Sequence, residues 1–193
     1  MKRAFDLLAS AAGFVVLLPV LAVCLVLIRL DSPGNPLFVQ TRVGRGEKPF
    51  RCYKLRTMKI DTPNVASHHV GTSSITGLGH FLRRTKLDEL PQLWNVIVGE
   101  MSLVGPRPCL PSQKELIEAR RRRGVYTLRP GITGLAQIRD IDMSVPERLA
   151  VVDAEYLETR SFLGDLAIIL ATARGGGQGD AARAGRRKPP EGR

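Results

Sequence analysis

The sequence is poor in several things that would each have pointed to a class of function. Its 3 cysteines, Cys24, Cys52 and Cys109, are odd in number and lack Cys-x-x-Cys spacing. That excludes a disulfide framework and a cysteine zinc site, and fits a reducing, cytosol-facing location. Histidine is equally scarce. His68 and His69 are neighbours, which point opposite ways on an extended chain, and His80 stands alone, so no ligand cluster for a transition metal forms. Aromatic residues make up 5 % of the chain, too few to interleave with cations as a single-stranded nucleic-acid site requires. The glycines of VGRGEK are followed by no Gly-Lys-Ser/Thr and form no G-x-G-x-x-G after a strand, so neither ATP nor NAD is indicated.

Acidic residues are also short. Asp and Glu number 18 against 29 Lys and Arg, a net charge of +11 that calls for an anionic partner: phosphate, nucleic acid or an acidic membrane surface. The length of 193 residues, with 44 % hydrophobic and 24 % charged, is that of one globular domain with a modest core.

What is abundant sits at the start. From Leu7 to Ile28 no residue is charged, a run long enough to cross ~30 Å of hydrocarbon as a helix. It ends at Arg29 without a small-residue cleavage site, so retention in the mature protein is expected. Pro19 lies near the middle of the run, where it removes a backbone hydrogen bond and bends a helix. Lys2 and Arg3 precede the run; Arg29, Arg42, Arg45 and Lys48 follow it, so positive charge draws both ends toward the cytoplasm. A re-entrant hairpin satisfies both features, while a proline-kinked spanning helix stays open beside it.

After the turn-rich DSPGNP, the segment LFVQTRVGRGEKPFRCYKLRTM reads as a basic β-hairpin, with Lys54 and Arg56 on one face of its second strand. The stretch DTPNVASHHVGTSS, 61 to 74, reads as a loop. Leu78, Phe81 and Leu82 have helical spacing, as have Leu87, Leu90, Trp94 and Ile97, with Asp88 and Glu89 at the junction. Next come strand-like GEMSLV, a proline-rich turn around Arg107, and a helix ending in Arg120 to Arg123, read as a solvated face with contact to anionic lipid as the alternative. RPGITGLAQI reads as a tight loop and Ser144-Val-Pro-Glu147 as a helix start. Phe162 to Leu170 forms a core or membrane-surface helix, and from Gly175 onward the composition marks a disordered basic tail.

The acid pair admits two readings. Asp88 caps the second helix, with Glu89 as a helix-dipole charge; or a carboxylate held ionised at a helix N-terminus serves as a nucleophile. Carboxylates bind Mg²⁺ directly, and Arg83 and Arg107 are placed to grip phosphate oxygens, which favours phosphoryl chemistry over nucleic-acid binding.

At these residues the sequence resembles the bacterial sugar transferases, specifically the small monotopic phosphoglycosyl transferases. The landmarks are the N-terminal apolar segment with its proline, FVQTRVGRGEKPFRCYKLRTM, LRRTKLDELPQLWNVIVGEMSLVGPRP, RPGITGLAQI and SFLGDL, in family order from about residue 2 to about residue 173. The resemblance implies a mostly helical α/β fold with a small β-hairpin: a re-entrant membrane helix over 1–30, a compact cytosolic catalytic domain with interfacial helices over 31–173, and a disordered basic tail over 174–193. It implies that Asp88 attacks the sugar-bearing phosphorus of a UDP-sugar, releasing UMP, and that polyprenyl phosphate then takes the phosphosugar. Mg²⁺ at Asp88 and Glu89 is implied as cofactor, with Arg83 and Arg107 on phosphate and Lys54, Arg56 and Arg139 as further candidates. The location implied is the cytoplasmic face of the bacterial inner membrane, among anionic headgroups.

Two positions depart from the family pattern. Leu18 stands where members often have serine before the proline, and Ile138-Arg139-Asp140-Ile141 replaces an asparagine-glycine-arginine that touches sugar or nucleotide. The sugar, the glycan pathway and the oligomeric state, with a homodimer compatible, stay open. The rivals are a catalytically silent basic anchor for an acidic partner and a Mg²⁺-dependent hydrolase of nucleotide sugars.

Overall fold

The computed structural model describes residues 1–60, 62 and 74–177. The expected loop at 61–74 lies almost wholly outside the described residues, as do His68, His69 and the tail from residue 178. The fold is mostly helical with two small sheets.

The apolar run forms one helix, α1 (Lys2–Asp31), with Pro19 inside it. At 30 residues it is about 45 Å long. It does not stand away from the rest of the chain. Near its start, Arg3 donates to the carbonyls of Val96 (2.7 Å) and Ile97 (3.2 Å), Lys2 pairs with Asp165 (2.6 Å), and buried Asp6 accepts from Ser102 Oγ (2.8 Å). Near its end, Cys24 and Ile28 are buried with Leu55 and Leu82. Along the other side Leu8, Val15, Val16, Val23 and Leu30 are all more than half exposed, a stripe that burial within the chain leaves uncovered.

The hairpin appears as expected: β1 (Leu37–Val43) pairs antiparallel with β2 (Pro49–Leu55). Gly46 takes a positive φ of 63° in the connection. The helix expected over Leu87 to Ile97 is divided. After α2 (Gly77–Thr85), Lys86 adopts a left-handed conformation, Leu87–Glu89 form a 3-10 turn, and α3 (Gln92–Val98) begins only after Pro91.

RPGITGLAQI, expected to be a loop, instead supplies β4 (Gly131–Thr133), parallel to β3 (Ser102–Val104), and the short helix α5 (Leu135–Ile138). The glycines serve close approach rather than a tight turn: a Cβ on Gly131 would lie 2.1 Å from the nitrogen of Gly105. Helices α4 (Lys114–Arg122), α6 (Pro146–Thr159) and α7 (Phe162–Ala173) complete the unit. Leu116, Ala119, Leu149 and Ala150 share one core cluster between α4 and α6, while Tyr156 and Ile168 join Val104 and Leu128 in another. Cys24, Cys52 and Cys109 are buried free thiols.

Candidate active site

Three separate elements converge on the acid pair. The left-handed turn at Lys86 (φ 59°), which costs a residue with a side chain roughly 1 kcal/mol, ends α2 and swings the chain into the 3-10 turn. Leu87 anchors that turn by packing on the cluster of Leu55 and Leu82. Asp88 and Glu89 are thereby brought beside the end of β2, which carries Lys54. The strand end is fixed by fully buried Asn95 of α3, whose side-chain amide accepts from Tyr53 N (3.1 Å) and donates to the Arg51 carbonyl (2.7 Å). Arg107 arrives from the proline-rich loop after β3.

The two acids have different surroundings. Glu89 Oε1 accepts from Lys54 Nζ at 3.0 Å and from Arg107 Nη2 at 2.9 Å. Burial pushes the Glu89 carboxyl up, but Arg107 and Lys54 overcome it and hold the group down at about 2. Asp88 is 8 % exposed and accepts no hydrogen bond among the described residues. Burial first, and the Glu89 charge second, push it up to about 6 against the pull of Lys54, Arg83 and Arg107. Glu89 is thus a fixed, engaged anion, and Asp88 a buried carboxylate with no hydrogen-bond donor among the described residues.

That arrangement corrects two expectations. Asp88 caps no helix, because α3 begins four residues later with Pro91 at its N-cap and no side-chain capping bond. Nor does a helix terminus keep it firmly ionised, since burial and its acidic neighbour raise its proton affinity.

Arg83 lies on the last turn of α2, where its Nε donates to Thr57 Oγ1 at 2.8 Å. That contact depends on Gly79: a Cβ there would fall 2.1 Å from the Thr57 carbonyl oxygen, so only glycine lets α2 approach so closely. Lys86 also belongs to the site. Burial depresses its ammonium, Glu89 and Asp140 favour its charge, Arg107 opposes it, and its Nζ donates to the Gly176 carbonyl at 2.6 Å. Lys86 and Thr57 carried no distinguishing signal in the sequence, Lys86 being one cation among several before the acids.

Two candidate cations are committed elsewhere. Strand β2 stops at Leu55, so Arg56 does not share a strand face with Lys54; its guanidinium binds the carbonyls of Ser32 (2.7 Å) and Pro33 (2.5 Å), closing the exit of α1. Exposed Arg139 forks onto Glu155 of α6, at 2.5 and 2.6 Å. His80 is exposed on α2.

A hard divalent cation fits this donor set. Among the described residues no group of three or more His, Cys, Asp or Glu comes together, so these residues offer at most the two carboxylates. Mg²⁺ characteristically takes one or two protein carboxylates and completes its shell with water and phosphate oxygens. The Asp88 carboxyl, raised by burial and by a neighbouring anion, is a group that a cation would relieve.

The chain that carries this acid pair belongs to the bacterial sugar transferase family, whose model matches residues 1–177. Among curated relatives, the chain is 41 % identical over 180 residues to a UDP-glucose:undecaprenyl-phosphate glucose-1-phosphate transferase of Caulobacter vibrioides, covering 89 % of this chain and 67 % of that protein. It is 40 % identical over 187 residues to the exopolysaccharide production protein PSS of Rhizobium leguminosarum bv. phaseoli, covering 89 % and 92 %. To a UDP-galactose-lipid carrier transferase of Erwinia amylovora it is 35 % identical over 193 residues, covering 89 % of this chain and 39 % of that longer protein.

Proposed function

We propose that this transferase moves a sugar 1-phosphate from a UDP-sugar to polyprenyl phosphate at the cytoplasmic face of the bacterial inner membrane, as the first membrane step of a surface glycan. The observation that carries the reading is the division of labour in the acid pair. Glu89 holds Lys54 and Arg107 in place, and Asp88 beside them accepts no hydrogen bond among the described residues.

In the first half-reaction an Asp88 carboxylate oxygen attacks the sugar-bearing phosphorus. A phosphorus–oxygen bond to Asp88 forms, the bond to the departing phosphate breaks, and UMP leaves with the electron pair. In the second, an oxygen of polyprenyl phosphate attacks the same phosphorus and the carboxylate is regenerated. Arg83, Arg107 and Lys54 hold phosphate oxygens through both steps, a task suited to planar guanidinium groups and to a lysine point charge. Asp88 and Glu89 would hold Mg²⁺, which would supply charge to offset that of the diphosphate. Burial of Asp88 keeps bulk water from competing for the phosphosugar.

A lipid phosphate and a soluble nucleotide sugar meet only at the headgroup level. Helix α1 supports that placement, since both its ends are tied to the same unit while an apolar stripe faces outward. A helix so held on one side favours the monotopic, re-entrant reading over a plain span. The net charge of +11 suits an anionic surface.

The test is UMP release from a panel of UDP-sugars by detergent-solubilised protein with Mg²⁺, with and without polyprenyl phosphate. Acceptor-dependent turnover, lost in Asp88→Asn, supports the transferase and identifies the sugar. Sustained turnover without acceptor identifies a hydrolase instead, and silence across the panel leaves a basic anchor.

A further inference from the structure

The loop that carries Arg107 has an unusual anchoring problem. In Gly-Pro-Arg-Pro-Cys, 105 to 109, the prolines lack an N–H, so the loop is fastened mainly through its carbonyls. Four successive carbonyls each find a donor: Pro106 accepts from Gly131 N, Arg107 from Arg120 Nη1, Pro108 from Arg42 Nη1 and Cys109 from Val43 N, each at 2.9 Å. The donor to Arg107 itself is the only one of the four that is deeply buried and paired with an acid.

Arg120 is 2 % exposed and Asp153 of α6 is 3 % exposed. Arg120 Nε and Nη2 lie 2.8 and 2.7 Å from Oδ2 of Asp153, and the remaining Nη1 reaches the Arg107 carbonyl. One planar group is thus held by an acid on one side while it holds the loop on the other. The side chain of Arg107 continues the chain of contacts to Glu89, next to Asp88. Stitching α4 to α6 does not call for this device, because a buried ion pair contributes little net stability over apolar side chains of similar volume. The third bond, to the loop carbonyl, lies outside that stitch.

We propose that Arg120, locked by Asp153, is a positioning residue that fixes the Arg107 backbone so that its guanidinium meets substrate phosphate at the acid pair. The proposal rests on the transferase reading above. A lysine at 120 keeps the charge but not the fork, so it satisfies Asp153 or the carbonyl and not both in the same geometry.

The experiment compares full-length wild type, Arg120→Lys, Arg107→Lys and the double variant by single-turnover UMP release and by thermal unfolding. Arg120→Lys is expected to lower the rate per folded molecule about tenfold or more, and to cost no more than about twofold further once Arg107 is already lysine, as two residues acting as one unit do. Asp153→Asn repeats the test if Arg120→Lys does not fold, since its amide oxygen can still accept from Arg120. Unchanged rate per folded molecule, or losses that multiply fully in the double variant, overturns the proposal and leaves the pair a structural stitch. A wild type silent with every UDP-sugar overturns the transferase reading itself, and this proposal with it.

Discussion

The guanidinium of Arg107 stands 2.9 Å from Glu89, while the neighbouring acid, Asp88, accepts no hydrogen bond among the described residues. Adjacent carboxylates in one buried turn have therefore been given opposite electrostatic fates, one held down at about 2 and the other pushed up to about 6. The proposed chemistry grows from that asymmetry.

Burying Asp88 has a stability consequence. Its folded-state value is raised from 3.8 to about 6, so the folded chain binds the proton more tightly than the unfolded chain and stability falls as pH rises between those values. Asp88→Asn is therefore expected to stabilise the metal-free protein above pH 6, by at most about 3 kcal/mol at 1.36 kcal/mol per pKa unit. Thermal unfolding in EDTA checks this: the gain of the variant should shrink to nothing near pH 4 and reach its plateau above pH 6.

Glu89→Gln should do the reverse. It removes the charge that Lys54 and Arg107 share, at a cost of about 3–5 kcal/mol if the group behaves as other buried pairs do. Chemical denaturation at pH 7 measures the loss. UMP release should also fall, because both cations proposed to hold phosphate lose their fixed position.

Gly79→Ala tests how α2 is seated. The new methyl group would lie 2.1 Å from the Thr57 carbonyl oxygen, a backbone atom that cannot simply swing away. Destabilisation of about 1–3 kcal/mol is expected, as for other overpacked sites, together with reduced activity, since Thr57 also holds Arg83.

Arg139 provides the contrast. Its fork onto Glu155 is an exposed pair, so Arg139→Ala should change stability by less than about 1 kcal/mol. UMP release should stay within about twofold of wild type by the same logic, and a loss of a hundredfold would return Arg139 to the site.

The sequence made the hairpin, the acid pair and Lys54 legible because each depends on local pattern: alternation, adjacency and position on a strand. The contacts of Arg56 and Arg139 were not legible, because their partners are not local. The carbonyls that hold Arg56 belong to the exit of α1, and Glu155 lies 16 residues beyond Arg139. Arg120 was hidden in a run of four arginines, where a buried residue on the face of Leu116 and Ala119 looks like its solvated neighbours. The split at Lys86 left no mark either, since the left-handed residue that ends a helix is usually glycine or asparagine rather than lysine.

The topology of α1 can be read chemically. Single cysteines placed at exposed Ala4 and Asp31 should both resist a membrane-impermeant thiol reagent applied to intact cells and react after permeabilisation. Labelling of one end alone from outside would mean that the helix spans.

The most direct test of the central claim is intact-protein mass spectrometry after incubation with the matching UDP-sugar and Mg²⁺ in the absence of polyprenyl phosphate. The account predicts that wild type gains the mass of one sugar phosphate, mapped to the peptide containing Asp88 and discharged on adding polyprenyl phosphate, and that Asp88→Asn gains nothing. An adduct that persists in Asp88→Asn, or acceptor-dependent turnover in that variant at the wild-type rate, would contradict it.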